Sequence, residues 1–156
     1  MNPGFTEILL ALLALLLVVA AVIDARTYTI SNRLTLAVAL LAPVYWWSAG
    51  LALWPDVASH VAVAVAIFVL LAAAFYAGMM GGGDVKLAGA LALWLSPLGS
   101  LHFLLVMSIA GGILTLVLAA AHRLRSKEGR PTIPYGIAIA IGGLAILAQR
   151  FLNQFA

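Results

Sequence analysis

The sequence predicts an all-α membrane protein with six transmembrane helices, a short fourth helix and both termini on the outer side. Three observations carry this reading. Of the 156 residues, 65% are hydrophobic and only 8% are charged, whereas a water-soluble domain carries roughly a quarter charged residues. Apolar runs recur along the chain with the length of about 20 residues that crosses a hydrocarbon core. The basic residues then fall almost entirely on one side of the resulting zigzag. Residues 1–156 read as a single integral membrane domain.

The spans are expected at 5–23, 34–54, 57–78, 84–97, 100–121 and 135–152. The first is preceded by "MNPGFTE", which holds Glu7 and no basic residue. A cleaved signal peptide wants a basic flank, so this run reads as a retained helix. A single span over 87–107 competes with the fourth and fifth. The split is preferred because Pro97 and Gly99 mark a turn and because 108–121 alone is too short.

With the N-terminus outside, Arg26, Arg33, Lys86, Arg123, Arg125, Lys127 and Arg130 lie on the inner side and only Arg150 lies outside. That asymmetry orients the bundle. Tyr45, Trp46, Trp47, Trp54 and Trp94 are expected at the outer interface, and Tyr28, Tyr76 and Tyr135 at the inner one. The loop 122–134 reads as a basic anchor beside anionic lipid. A net charge of +3, accounted for by topology, gives no footprint for nucleic acid.

The chain has no cysteine, which excludes disulfides, thiolate chemistry and cysteine zinc sites. His60, His102 and His122 are too far apart in sequence to form a local ligand pair. No metal and no cofactor is expected.

Five acids remain. Glu7 and Glu128 sit in polar flanks, and Asp56 is placed to cap the third helix. Asp24 and Asp84 differ. Asp24 follows "LLLVVAAVI" at the inner end of the first helix, and Asp84 follows Gly81, Gly82 and Gly83 at the inner start of the fourth. An acid at that depth is costly unless paired or hydrated, which marks a functional site. Glycine lets backbones approach closely, and non-helical backbone at membrane depth needs protein or water to satisfy it. "GGGD" therefore predicts a hydrated pocket at the cytoplasmic side. Two carboxylates there cannot both ionise easily, so the pair supplies a general acid and a general base. The alternative for Asp84 is an N-cap accepting from Lys86 or Leu87, and for Asp24 a simple helix end.

Arg26 and Lys86 each stand two residues after an aspartate, a spacing that does not face its own acid on a helix. Either each is a snorkelling topology charge, or one reaches the other acid or a substrate carboxylate. Asn32 and Pro134 are candidate pocket supports, with an Asx turn and a helix start as their plainer roles.

G-x-G-D at Gly81–Asp84, after an aspartate closing the first span, resembles the type IV prepilin peptidase family of membrane aspartic proteases. "IDARTYTISNRLT" (23–35), "GGGDVKLAGALALWL" (81–95) and "IPYGIAIAIGGL" (133–144) are similar to that family's two aspartate segments and its C-terminal Pro-x-Gly segment. The resemblance implies Asp24 and Asp84 as a catalytic dyad in a prokaryotic inner membrane, facing the cytoplasm. It implies a prepilin-like substrate whose basic leader precedes a hydrophobic helix. The cysteine-containing insert of longer members is missing, so N-methylation is not implied. The compact form is more similar to peptidases of tight-adherence pili or of archaeal preflagellins. Two other readings use the same acids. A presenilin-like intramembrane protease shares G-x-G-D, but Asp24 stands at a helix end and follows Ile23 instead of tyrosine. A small proton-coupled transporter uses acids as a relay but needs further polar groups across the spans.

Overall fold

The computed structural model describes residues 3–124 and 133–154. Arg125, Lys127, Glu128 and Arg130 of the basic loop lie outside the described residues. Six α-helices follow in order: α1 (Pro3–Thr27), α2 (Asn32–Ala49), α3 (Ala58–Tyr76), α4 (Gly82–Ala92), α5 (Pro97–Leu124) and α6 (Tyr135–Gln154). A π-helical turn, Leu53–Val57, leads into α3. There is no strand among the described residues.

Four helical segments are long and apolar enough to cross a membrane: Pro3–Thr27, Leu53–Tyr76, Pro97–Leu124 and Tyr135–Asn153. The other two helices, expected as spans, fall short for identifiable reasons. α2 opens on Asn32 and Arg33 and contains Pro43, which lowers its hydropathy. α4 has 11 residues, roughly 16 Å at 1.5 Å per residue, about half a hydrocarbon core.

The division between α4 and α5 matches the expected split, with different edges. α4 starts at Gly82 and stops at Ala92, and α5 begins at Pro97, where a proline suits the first helical position. Asp56 does not cap α3. It sits in the π-helical turn, and its Oδ2 accepts the Ala52 N–H at 3.1 Å.

α4 occupies the centre of the bundle. It packs against α3, α2 and α6 and buries Val85, Leu87, Ala88, Ala90, Leu91 and Ala92. α1 packs against α2 and α6, with Leu9, Leu10, Leu13 and Leu17 facing inward. α6 comes close to both, since a Cβ at Gly143 would stand 2.7 Å from Leu91 and 2.8 Å from Leu17. Two indoles fix the end of α4 to α2. Trp46 Nε1 donates to the Leu93 carbonyl at 2.8 Å, and Trp94 Nε1 donates to the Val38 carbonyl at 2.9 Å. Trp94 is buried and stacks on the buried Tyr45 at 5.1 Å between ring centroids. These two aromatics are thus core anchors, not the interface residues expected. Trp47 and Trp54 are exposed, in keeping with an interface.

The alternation of the helices brings the C-terminal ends of α1, α3 and α5 together with the N-terminal ends of α2, α4 and α6. α1 ends through Tyr28, whose φ of 54° lies in the left-handed region. Ser31 then caps α2, its Oγ accepting the Leu34 N–H at 3.4 Å. The short turn between them presents Ile30 to the starts of α4 and α6.

Candidate active site

Asp24 lies in the last turn of α1 and is 2% exposed. Its Oδ2 accepts the backbone N–H of Gly136 at 2.7 Å, a contact across 112 residues of chain. Gly136 is buried in the first turn of α6, where backbone N–H groups have no acceptor within their own helix. An acid placed there satisfies the free donor and opposes the positive end of the helix dipole.

Asp84 reaches the same place from α4. It is the third helical residue, 7% exposed, with Gly81 in the capping position. Its own role is therefore not the N-cap. The Asp84 carboxylate instead turns back toward Gly81, where a Cβ would stand 2.7 Å from Oδ2. It also interacts electrostatically with Asp24 and with the Gly136 backbone. Oδ1 of Asp84 is buried and has no hydrogen-bond partner among the described residues.

The glycines explain how α4 comes so near. A Cβ at Gly83 would stand 3.2 Å from Ile30 Cβ and 3.3 Å from the Ile30 carbonyl oxygen. That is a backbone-on-backbone approach that only glycine allows comfortably. A Cβ at Gly82 would meet the Phe75 ring at 3.3 Å. Both aspartates are buried, with Ile30 packed on the glycines that open α4 and α6.

The remaining candidates divide. Lys86 Nζ donates to Asn32 Oδ1 at 3.1 Å, tying the starts of α4 and α2. This bond is neither an ion pair with an aspartate nor an Asx turn. Arg26 is exposed. Pro134 is buried just before α6, and its carbonyl accepts the Ile137 N–H at 3.2 Å, so it starts the helix. Sequence reasoning missed two contributors. Gly136 stood inside a quoted segment as "PYG", a proline and a glycine bracketing a helix start. Ile30 gave no signal, because an apolar residue in a polar turn is unremarkable in sequence.

The arrangement offers two carboxyl groups buried at helix ends that pack on Ile30, with a backbone donor fixing one of them. Among the described residues no group of three or more His, Cys, Asp and Glu side chains is placed to hold a metal ion.

Comparison with known proteins bears on this geometry. A model of the type IV leader peptidase family matches residues 11–116, a stretch that includes both Asp24 and Asp84 and ends before α6. No curated protein and no solved structure matches the chain. The family match covers well over half of the sequence, and on that ground the chain belongs to the type IV leader peptidase family.

Proposed function

We propose that the chain is a membrane-embedded aspartic endopeptidase that removes the basic leader of prepilin-like proteins at the cytoplasmic face of a prokaryotic inner membrane. The whole of 1–156 acts as one peptidase domain. The observation that carries this is the burial of Asp24 and Asp84 at helix ends that pack on Ile30, with Asp24 held by the Gly136 N–H of a third helix.

The chemistry follows from one shared proton. The ionised carboxylate takes a proton from a water molecule as its oxygen attacks the scissile carbonyl carbon. The protonated carboxyl gives its proton to the carbonyl oxygen. Collapse of the tetrahedral species breaks the C–N bond, and the amine leaves with the proton taken from water. The carbonyl oxygen's added proton returns to the pair. One water is consumed, an acid and an amine are released, and the dyad regains its single proton.

Charge supports the orientation. Arg26, Arg33, Lys86 and Arg123 sit at the end that carries the aspartates, whereas Arg150 is near the other end. A basic leader is drawn to a site with two acids. The relay alternative is disfavoured by the buried face of α1, which runs Ala20, Leu17, Leu13, Leu10 and Leu9 before the next buried polar group, Thr6.

The test is incubation of the full chain, in detergent or proteoliposomes, with prepilin-like proteins of the same genome. Mass spectrometry reads the new N-terminus. A cut between leader and apolar helix is expected, and no cut in any candidate would overturn the reading.

A further inference from the structure

We infer that Gly136 is a positioning residue of the peptidase site, setting the place of the Asp24 carboxylate, an inference that rests on the proposed aspartic mechanism. The family match stops at residue 116 and does not reach α6. The contact itself therefore carries the argument.

Two separate features of Gly136 act on one carboxylate. Its N–H donates to Asp24 Oδ2 at 2.7 Å, a short bond of the charge-assisted kind. Any residue except proline supplies that donor. What only glycine supplies is the space. A Cβ at this position would stand 2.7 Å from Asp24 Oδ2, 2.9 Å from Asp24 Cγ and 2.9 Å from Ile30 Cδ1. Asp24 Oδ2 cannot retreat freely, because α1 is held by its buried leucines and Ile30 is wedged against Gly83. A methyl group here thus rotates or displaces the carboxylate relative to Asp84. Loss of helix propensity is not the issue, since alanine is the better helix former.

Misplacement of about 1 Å in a reacting group lowers turnover by roughly 10²-fold. Gly136→Ala is expected to lower kcat by about that factor with a smaller change in KM, because it displaces one reacting carboxylate and removes no charge that attracts the leader. Gly143→Ala is the steric control. It lies in the same helix, and its Cβ would crowd Leu91 and Leu17 at 2.7 and 2.8 Å, away from the aspartates. It is expected to lower the thermal midpoint and to leave kcat per folded molecule near that of the parent. The double variant Gly136→Ala with Ile30→Ala removes the Ile30 clash but not the Asp24 clash. It is expected to regain thermal stability without regaining kcat.

The assay is cleavage of a prepilin-like protein by the full chain, with thermal unfolding followed in parallel. Parent-like kcat in Gly136→Ala overturns the inference, as does recovery of kcat in the double variant. An equal loss in Gly143→Ala also overturns it, by making the effect one of general packing. Asp24→Asn in the same series separates the layers. If Asp24→Asn is inactive and Gly136→Ala is fully active, only the positioning role falls. If Asp24→Asn keeps full activity, the aspartic mechanism itself falls.

Discussion

Asp24 and Asp84 are unequal partners at the level of single atoms. Asp24 has a donor on Oδ2, whereas Oδ1 of Asp84 is buried without one. A buried polar atom left unpaired is unfavourable, and a group at a reaction centre is a place where such an atom is kept for substrate or water. Replacing either acid by asparagine keeps the shape and removes the exchangeable proton. Asp24→Asn and Asp84→Asn are each expected to lower leader cleavage by about 10³-fold or more, with insertion unchanged, as read by mass spectrometry and membrane fractionation. Lys86 is expected to behave otherwise. Its ammonium is engaged by Asn32, so Lys86→Gln should leave kcat near the parent value. A loss as deep as that of Asp84→Asn would bring the lysine into the chemistry. Both aspartates stand out in the sequence because an acid at the end of an apolar run or beside a glycine break at membrane depth is rare. Gly136 stood in the Pro-x-Gly segment without a role of its own, because that role depends on a contact across 112 residues.

Helix ends, more than helix bodies, build this site. α1 stops through Tyr28 at φ 54°, a conformation that costs a residue with a Cβ roughly 1–2 kcal/mol. About half of the Tyr28 surface is exposed, which limits how far packing offsets that cost. Tyr28→Asn is therefore expected to stabilise the fold by about 0.5–1 kcal/mol, given the tolerance of asparagine for this region. A higher thermal midpoint in detergent, with unchanged cleavage, is the expected result, and a fall would mean that the tyrosine ring holds the turn. The helix count was legible from apolar runs, but the ends were not. At the stop of α4, the Trp46 indole of α2 reaches the Leu93 carbonyl and the Trp94 indole reaches back to Val38 of α2. Hydropathy cannot separate a tryptophan that anchors a core from one that floats at an interface, which is why Trp94 and Tyr45 were expected at the rim.

The molecule as a whole presents apolar side chains outward on several helices, Leu40, Val69, Leu105 and Ile109 among them. Lipid suits such a surface and water does not. In lipid the hydrophobic effect does not press helices together, so close packing at small residues carries more of the association. Gly143 of α6 against α1 and α4 is one such contact. The overall direction of the bundle rests on charge alone, and it decides whether the aspartates meet a cytoplasmic leader. The sequence has no cysteine, so single cysteines report topology without background. Tyr76 at the aspartate end and Trp54 at the opposite end are both exposed. Tyr76→Cys is expected to react with a membrane-impermeant maleimide only after the cells are opened. Trp54→Cys is expected to react once the outer side of the membrane is reached. The opposite pattern would place Asp24 and Asp84 on the outer side and remove them from any leader held in the cytoplasm. Labelling of both positions from one side would mean that α3, the helix between them, does not cross, and the charge-based orientation would fall with it.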